Sequence, residues 1–195
     1  MSAFPDLPLR TERLLLRPLV EADAQALFEI FSDPAVMRYW SSAPWTDLAQ
    51  AEAQIARAQA DYAAGSALRW AVVRRDTGEM IGNVNLYSFF DANRRCDIGY
   101  ALARAHWGQG LLGEALAAAL AHGFETLNLN RVEADIDPRN RASARALERL
   151  GFQCEGRLRE RWIVAGEVSD SDLYGLLARD WRPGAGVGAG RSEPQ

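Results

Sequence analysis

The chain has 195 residues, 48% of them hydrophobic and 25% charged, with a formal net charge of −4. That describes one domain with room for a core, and a mildly acidic balance that argues against nucleic-acid binding. Cys96 and Cys154 lie far apart without Cys/His neighbours at metal-ligand spacing, so neither a disulfide framework nor a metal site is expected. The first residues lack the pattern of a signal peptide, and no apolar run approaches the roughly 18 residues of a membrane span, so a cytoplasmic chain with no membrane partner is the default.

Leu14, Leu15 and Leu16, set between Arg13 and Arg17, predict a first strand over residues 13–17, stopped by Pro18. Ala24, Leu27, Phe28 and Phe31 fall on one face of a helix over 21–31, which Asp33-Pro34 breaks. Residues 36–45 hold Tyr39, Trp40 and Trp45 beside Ser41, Ser42 and Pro44, and read as a loop. Ala51, Ile55, Ala58 and Tyr62 are spaced for a second helix over 47–62, with Gly65 after it. Residues 68–75 and 80–89 read as strands joined by the hairpin signal Asp76-Thr77-Gly78-Glu79, and Asp91-Ala92-Asn93 turns the chain into a third strand ending at Leu102.

A glycine-rich turn follows, then a helix over 111–127, a strand over 131–137 and a short helix over 140–150 ended by Gly151. A pair of strands over 152–164 and 168–177 closes the chain. Residues 1–182 therefore form a single α+β domain, with the glycine turn at a crossover between parallel neighbours in an otherwise mostly antiparallel sheet. The tail, residues 183–195, has no packing residues and is expected to be disordered.

The turn reads Trp107-Gly108-Gln109-Gly110-Leu111-Leu112-Gly113 between a strand and an Ala/Leu-rich helix. Glycines let the backbone approach a ligand, and the first N–H groups of the helix have no partners. With the positive end of the helix dipole added, the turn suits a phosphate or pyrophosphate. Residues 108–113 also spell G-x-G-x-x-G, with Glu133 twenty residues beyond Gly113 in the place of a ribose acid, so an NAD(P)-dependent oxidoreductase is one reading. Three features oppose it: the motif lies mid-chain behind a hairpin meander, Arg104-Ala105-His106-Trp107 spaces the strand too far from the first glycine, and only about 80 residues follow.

Taken with Arg131-Val132-Glu133-Ala134, Asp137-Pro138-Arg139-Asn140-Arg141-Ala142-Ser143 and Leu150-Gly151-Phe152-Gln153-Cys154-Glu155-Gly156, the turn resembles the GNAT N-acetyltransferases, and within them the RimJ/RimL branch. The resemblance runs from Leu9-Arg10-Thr11-Glu12-Arg13-Leu14 to Asp180-Trp181. It implies the GNAT fold, a mixed, twisted, mostly antiparallel sheet flanked by about four helices. It also implies acetyl-CoA as donor, with no metal, and direct transfer to a primary amine. The implied acceptor is a protein N-terminal α-amine; small-molecule amines (an amino acid, a polyamine or an antibiotic) are the alternative, and a non-catalytic acyl-CoA sensor a further one. Dimers are common among such proteins, so a homodimer is compatible with the resemblance.

In this family the cofactor motif is usually Q/R-x-x-G-x-G/A, which here becomes Trp107-Gly108-Gln109-Gly110-Leu111-Leu112, Leu112 narrowing the approach while leaving its amide available. The resemblance puts the pyrophosphate on the amides of residues 108–113. The thioester carbonyl would take a backbone N–H near Leu102 or Ala103, where the strand must splay. Many relatives carry a tyrosine acid on the fourth helix, and this helix has none. If Asn140 caps its helix, Ser143 faces inward with Ala146, Leu147 and Leu150; the resemblance then makes Ser143 the acid that serves the departing thiolate and Asn140 a CoA contact. Glu133, on the polar side of its strand with Arg131 and Asp135, is the candidate base, and an ion pair with a neighbouring Arg is the equal alternative. Asp170 and Glu160 are weaker candidates. Tyr39, Trp40 and Trp45 are candidate walls of the acceptor pocket, and Arg141, Arg145 and Arg149 form one solvated stripe with the 3′-phosphate of CoA as an alternative partner. His106 is read as structural.

Overall fold

The computed structural model describes Phe4 and residues 7–184. Two short strands, β1 (Leu9–Arg10) and β2 (Leu14–Pro18), turn back on each other, and three helices, α1 (Ala24–Ser32), α2 (Pro34–Met37) and α3 (Leu48–Ala64), precede the meander β3 (Leu68–Arg74), β4 (Met80–Phe90) and β5 (Arg95–Leu102). Then come α4 (Leu111–Ala121), β6 (Arg131–Ile136), α5 (Arg141–Arg149) and the long pair β7 (Gln153–Val164) and β8 (Glu167–Leu177). The eight strands form one sheet in the order β1-β2-β3-β4-β5-β6-β8-β7. Every pairing is antiparallel except β5 with β6, which are joined through α4. This is the expected mixed sheet with its parallel crossover at the glycine turn, and it lacks the doubly wound parallel halves of a dinucleotide fold.

Alternation along β3 divides the core between the two faces of the sheet. Trp70 and Val72 pack with Leu14, Leu16, Val84 and Leu86 against Leu116 and Leu120 of α4 and Leu147 of α5. Ala71 and Val73 face the other way, onto Leu27, Ile30 and Phe31 of α1 and Ala51 and Ile55 of α3. Burial of these apolar faces holds the helices on the sheet.

Three local features differ from the sequence reading. Asp33-Pro34 starts a helix as well as ending one: Asp33 caps α2 by accepting the Ala35 N–H at 2.8 Å, and Pro34 sits in the first turn, where its missing N–H costs nothing. The segment read as a loop over 36–45 thus begins as helix, the short α2 adding to the four longer helices that flank the sheet among the described residues. The predicted helix over 111–127 stays α-helical only to Ala121 and ends in a π turn over His122–Thr126, a widening that periodicity does not register. The first predicted strand runs Leu14–Pro18, with β1 as an additional partner. Of the predicted tail, only Pro183 and Gly184 are described, and residues 185–195 lie outside the described residues.

Candidate active site

At the glycine turn, a 3₁₀ turn over Arg104–His106 leads from β5 to Gly108 and Gly110, both in the left-handed region at φ 75° and 74°. A side chain on Gly108 would meet no atom within 4 Å, so its glycine serves backbone conformation rather than close packing. Gly110 is the N-cap of α4 and supplies no side-chain cap, which leaves the first N–H groups of the helix, at Leu111, Leu112 and Gly113, for a ligand. The loop is pinned at several points. Trp107 donates its indole N–H to the Leu102 carbonyl at 2.7 Å, Gln109 donates its amide to the Ala105 carbonyl at 3.0 Å, and Arg13 donates to the Gln109 carbonyl at 3.0 Å.

Glu114, in the first turn of α4, is buried and fixes the helix start to the β1–β2 corner. Its carboxylate accepts from Thr11 Oγ1 at 2.5 Å, from the Arg13 N–H at 2.8 Å and from Arg13 Nε at 2.7 Å. Burial works against ionisation there, but these hydrogen bonds outweigh it and hold the carboxyl below its usual range. The donor set is neutral backbone N–H on a rigid support, which fits a pyrophosphate.

The parallel pair next to the turn is registered over only three residues, Arg95 with Arg131, Cys96 with Val132 and Asp97 with Glu133. Beyond Asp97 the strands diverge, since β5 runs on to Leu102 while β6 stays bound to β8 through Ile136. Ala103 donates its N–H to the Ile81 carbonyl at 2.8 Å, so that amide is used by the sheet and cannot serve a thioester carbonyl as the sequence suggested. Antiparallel alternation then turns Leu102 and Tyr100 toward the opened edge.

The opening contains a cavity of about 330 Å³, at the small end of the roughly 300–1,000 Å³ usual for ligand sites. Tyr39, Trp40 and Ser41 cover it from the α2–α3 connection, Gly99 and Tyr100 line one side, and Asp135, Asn140, Ser143 and Trp162 the other. Asn140 caps α5 as expected, accepting the Ser143 N–H at 3.1 Å. Ser143 is buried in the first turn of α5, and its hydroxyl lies 2.6 Å from the Tyr100 hydroxyl. Burial pushes the Tyr100 phenol up to about 12, and the hydrogen bond to Ser143 moderates it.

Glu133 sits at the closed end of the strand pair. It accepts from Arg95 at 2.7 Å and from Arg131 at 2.6 Å and does not border the cavity, so the ion-pair alternative is the one this fold realises. A carboxylate that does border it is Asp135, two residues along the same face of β6. Burial raises its pKa, against the pull of Trp162, whose indole N–H lies 3.5 Å away, and of Arg161 at 3.7 Å; the Ser171 hydroxyl also donates to it. Asp137, also on the cavity wall, is taken up by Arg139 at 2.6 Å. Burial raises the Asp137 pKa, but the Arg139 hydrogen bonds bring it below the usual range.

Sequence reading missed Asp135 as a site group, and also Tyr100 and Trp162. The alternation of Arg131, Glu133 and Asp135 was visible, but the point at which β6 leaves β5 was not. The remaining candidates sort themselves by packing. Trp45 stacks on Phe31 with centroids 4.6 Å apart, outside the cavity lining, whereas Tyr39 and Trp40 line it. Asp170 accepts the Glu160 N–H at 2.9 Å within the exposed β7–β8 pair. Arg141, Arg145 and Arg149 are exposed along α5. His106 is buried with Nε2 3.3 Å from Glu79. Among the described residues, no group of His, Cys, Asp and Glu could hold a metal ion, and no helix is long and apolar enough to cross a membrane.

Comparison with known proteins gives a consistent answer. The family description "Acetyltransferase (GNAT) domain" matches residues 13–153. A Bacillus licheniformis protein named uncharacterized N-acetyltransferase p20 is 38% identical over 173 residues, covering 89% of this chain and 97% of its own. The ribosomal protein uS5-alanine N-acetyltransferase of Escherichia coli K12 is 28% identical over 190 residues, covering 94% and 97%. The solved structure of Mycobacterium smegmatis RimJ in complex with CoA-disulfide has a TM-score of 0.82 at 26% identity, covering 95% of this chain and 94% of that one.

Proposed function

From a chain that belongs to the GNAT N-acetyltransferases, we propose an enzyme that moves an acetyl group from acetyl-CoA directly to a protein N-terminal α-amine. The observation that carries this reading is the opened end of β5 and β6, where Ser143, Tyr100 and Asp135 line one small cavity, in a chain whose α4 starts without a side-chain cap. The amides of residues 108–113 would hold the pyrophosphate, with Trp107 and Gln109 keeping the loop in shape. Asn140 sets the first turn of α5. The Leu102 amide is the remaining candidate for polarising the thioester carbonyl. Bound acetyl-CoA would supply an activated acyl group.

Two tasks then fall to side chains of this protein. The Ser143 hydroxyl donates a hydrogen bond to the departing sulfur, and Asp135 takes the proton that the amine must lose before attack, directly or through water. This reading replaces Glu133 as base, since two arginines already hold its carboxylate.

The kinship with the uS5-alanine enzyme supports a peptide acceptor, and so does the charge of the cavity. Asp137 is neutralised by Arg139 at 2.6 Å, while Asp135 has only the longer contact with Arg161 at 3.7 Å, which leaves one carboxylate for one amine rather than a row of them for a polycation. The test is an acceptor screen read by release of free thiol from acetyl-CoA, using Ala- and Ser-initiated peptides, the same peptides N-terminally blocked, free amino acids, an aminoglycoside and spermidine. Turnover with the free peptides and none with the blocked ones is expected. Turnover confined to a small amine would overturn the acceptor assignment, and binding without any turnover would indicate a sensor.

A further inference from the structure

Ser143 has a partner that the reaction has not yet used. We propose that Tyr100 is a positioning residue: its hydroxyl donates to Ser143 Oγ and so turns the serine's own proton into the cleft, toward the sulfur. The inference rests on the reading of Ser143 as donor to that sulfur.

The geometry is a 2.6 Å contact between two hydroxyls, one at the open end of β5 and the other in the first turn of α5, both on the cavity wall. Either hydroxyl could donate on distance alone. Chemistry chooses, because a phenol is the more acidic partner of an aliphatic alcohol and the alcohol oxygen is the better acceptor. Burial keeps the phenol protonated, up to about 12, so Tyr100 remains a donor throughout the working pH range. With Ser143 Oγ occupied by that donation, its O–H points elsewhere, and hydrogen bonds in such a chain strengthen one another. No proton leaves Tyr100: it aims and polarises Ser143. One element is strand β5 and the other helix α5, so the contact also ties these two parts of the cavity wall together.

The test needs no acceptor. It compares the affinity of CoA with that of desulfo-CoA between pH 6.5 and 9.5, by calorimetry on the purified full chain. A free thiol ionises near 8.5. A site that donates to the thiolate lowers the bound value, so the ratio of CoA to desulfo-CoA affinity rises with pH, by about tenfold for each unit of lowering. The wild type is expected to show such a rise, Ser143→Ala to flatten it, and Tyr100→Phe to cut it to about threefold or less. An unchanged rise in Tyr100→Phe beside a flat Ser143→Ala would overturn the inference and leave the role of Ser143 standing. An unchanged rise in Ser143→Ala, or no rise in the wild type, would remove Ser143 as donor and the inference with it. Should Tyr100→Phe lose affinity for desulfo-CoA as well, 3-fluorotyrosine at position 100 decides. It nearly keeps the shape and is a stronger donor, so the rise must steepen, and a rise no steeper than in wild type overturns the inference.

Discussion

The two ends of the β5–β6 pair are built from adjacent residues and do opposite things. At the closed end, Arg95, Glu133, Arg131 and Glu155 form a chain of ion pairs across registered strands, with Cys96 and Val132 fully buried on the other face. At the open end, two or three residues past the last registered pair, Tyr100, Ser143 and Asp135 line a cavity. Glu133 at the closed end is held by two arginines at 2.6 and 2.7 Å, whereas Asp135 at the open end has a single arginine at 3.7 Å. The Glu133 carboxylate is already committed to two arginines, whereas burial raises the proton affinity of Asp135 at the cavity wall.

The largest break in this comparison is expected from Ser143→Ala. Loss of a donor to the leaving sulfur should lower kcat by about 100-fold, while acetyl-CoA affinity stays within about twofold, since general acids contribute about 10²–10⁴-fold. Unchanged turnover in stopped-flow thiol release would take Ser143 out of the chemistry.

Asp135→Asn against Glu133→Gln comes next. The first should cut kcat/KM by about tenfold or more. The second should leave turnover within about twofold and cost about 0.5–1 kcal/mol of stability in urea unfolding, a modest value because the ion pairs it breaks are partly exposed. If Glu133→Gln proved the more damaging to kcat, the closed end would hold the base after all.

A pH profile sharpens the same contrast. Burial raises the Asp135 pKa, so the carboxylate becomes protonated, and the base is lost, at a pH above the ordinary carboxylate range as the solution is acidified. The acid limb of kcat/KM should therefore lie above that range, and Asp135→Asn should abolish the limb along with most of the rate. The same desolvation destabilises the folded ionised form above the unfolded pKa, so this variant should melt no lower than wild type at neutral pH. The smallest effect is expected at the turn, where Leu112→Ala should keep CoA affinity or tighten it by about twofold, because the seat is made of amides and Leu112 only narrows it. A large loss would show that its side chain supports the loop.

The geometry of the glycine turn was legible in the sequence because it is a local object: glycines at 108 and 110, a strand before and a helix after, all within a dozen residues. Asn140 as cap with Ser143 facing inward was legible for the same reason, since helical spacing fixes both. What could not be read was set by pairing between distant segments. Nothing in Arg131-Val132-Glu133-Ala134-Asp135 says after which residue β6 stops following β5, and moving that point by two residues exchanges a structural Glu133 for a cavity-lining Asp135. Likewise, Tyr100 reads as an apolar position in an alternating strand until α5, more than 40 residues later, brings a hydroxyl to it. The Ala103 amide shows the same limit, because its use in the ladder depends on Ile81.

The tether at Glu114 bears on how the molecule comes to exist. Arg13 and Glu114 are separated by 101 positions, yet their contact sets the start of the helix that would hold the cofactor's phosphates. At synthesis rates of about 5–20 residues per second, the amino-terminal corner leaves the ribosome roughly 5–20 s before its partner does. Until then Thr11 and Arg13 have water in place of the carboxylate, and the phosphate seat has no rigid foundation. Contacts of such long range close late in folding, because the intervening chain must be ordered first. On the proposed reading, the nascent chain would be unable to bind a donor through most of its own synthesis, and competence to bind would arrive only with the joining of its beginning to its middle.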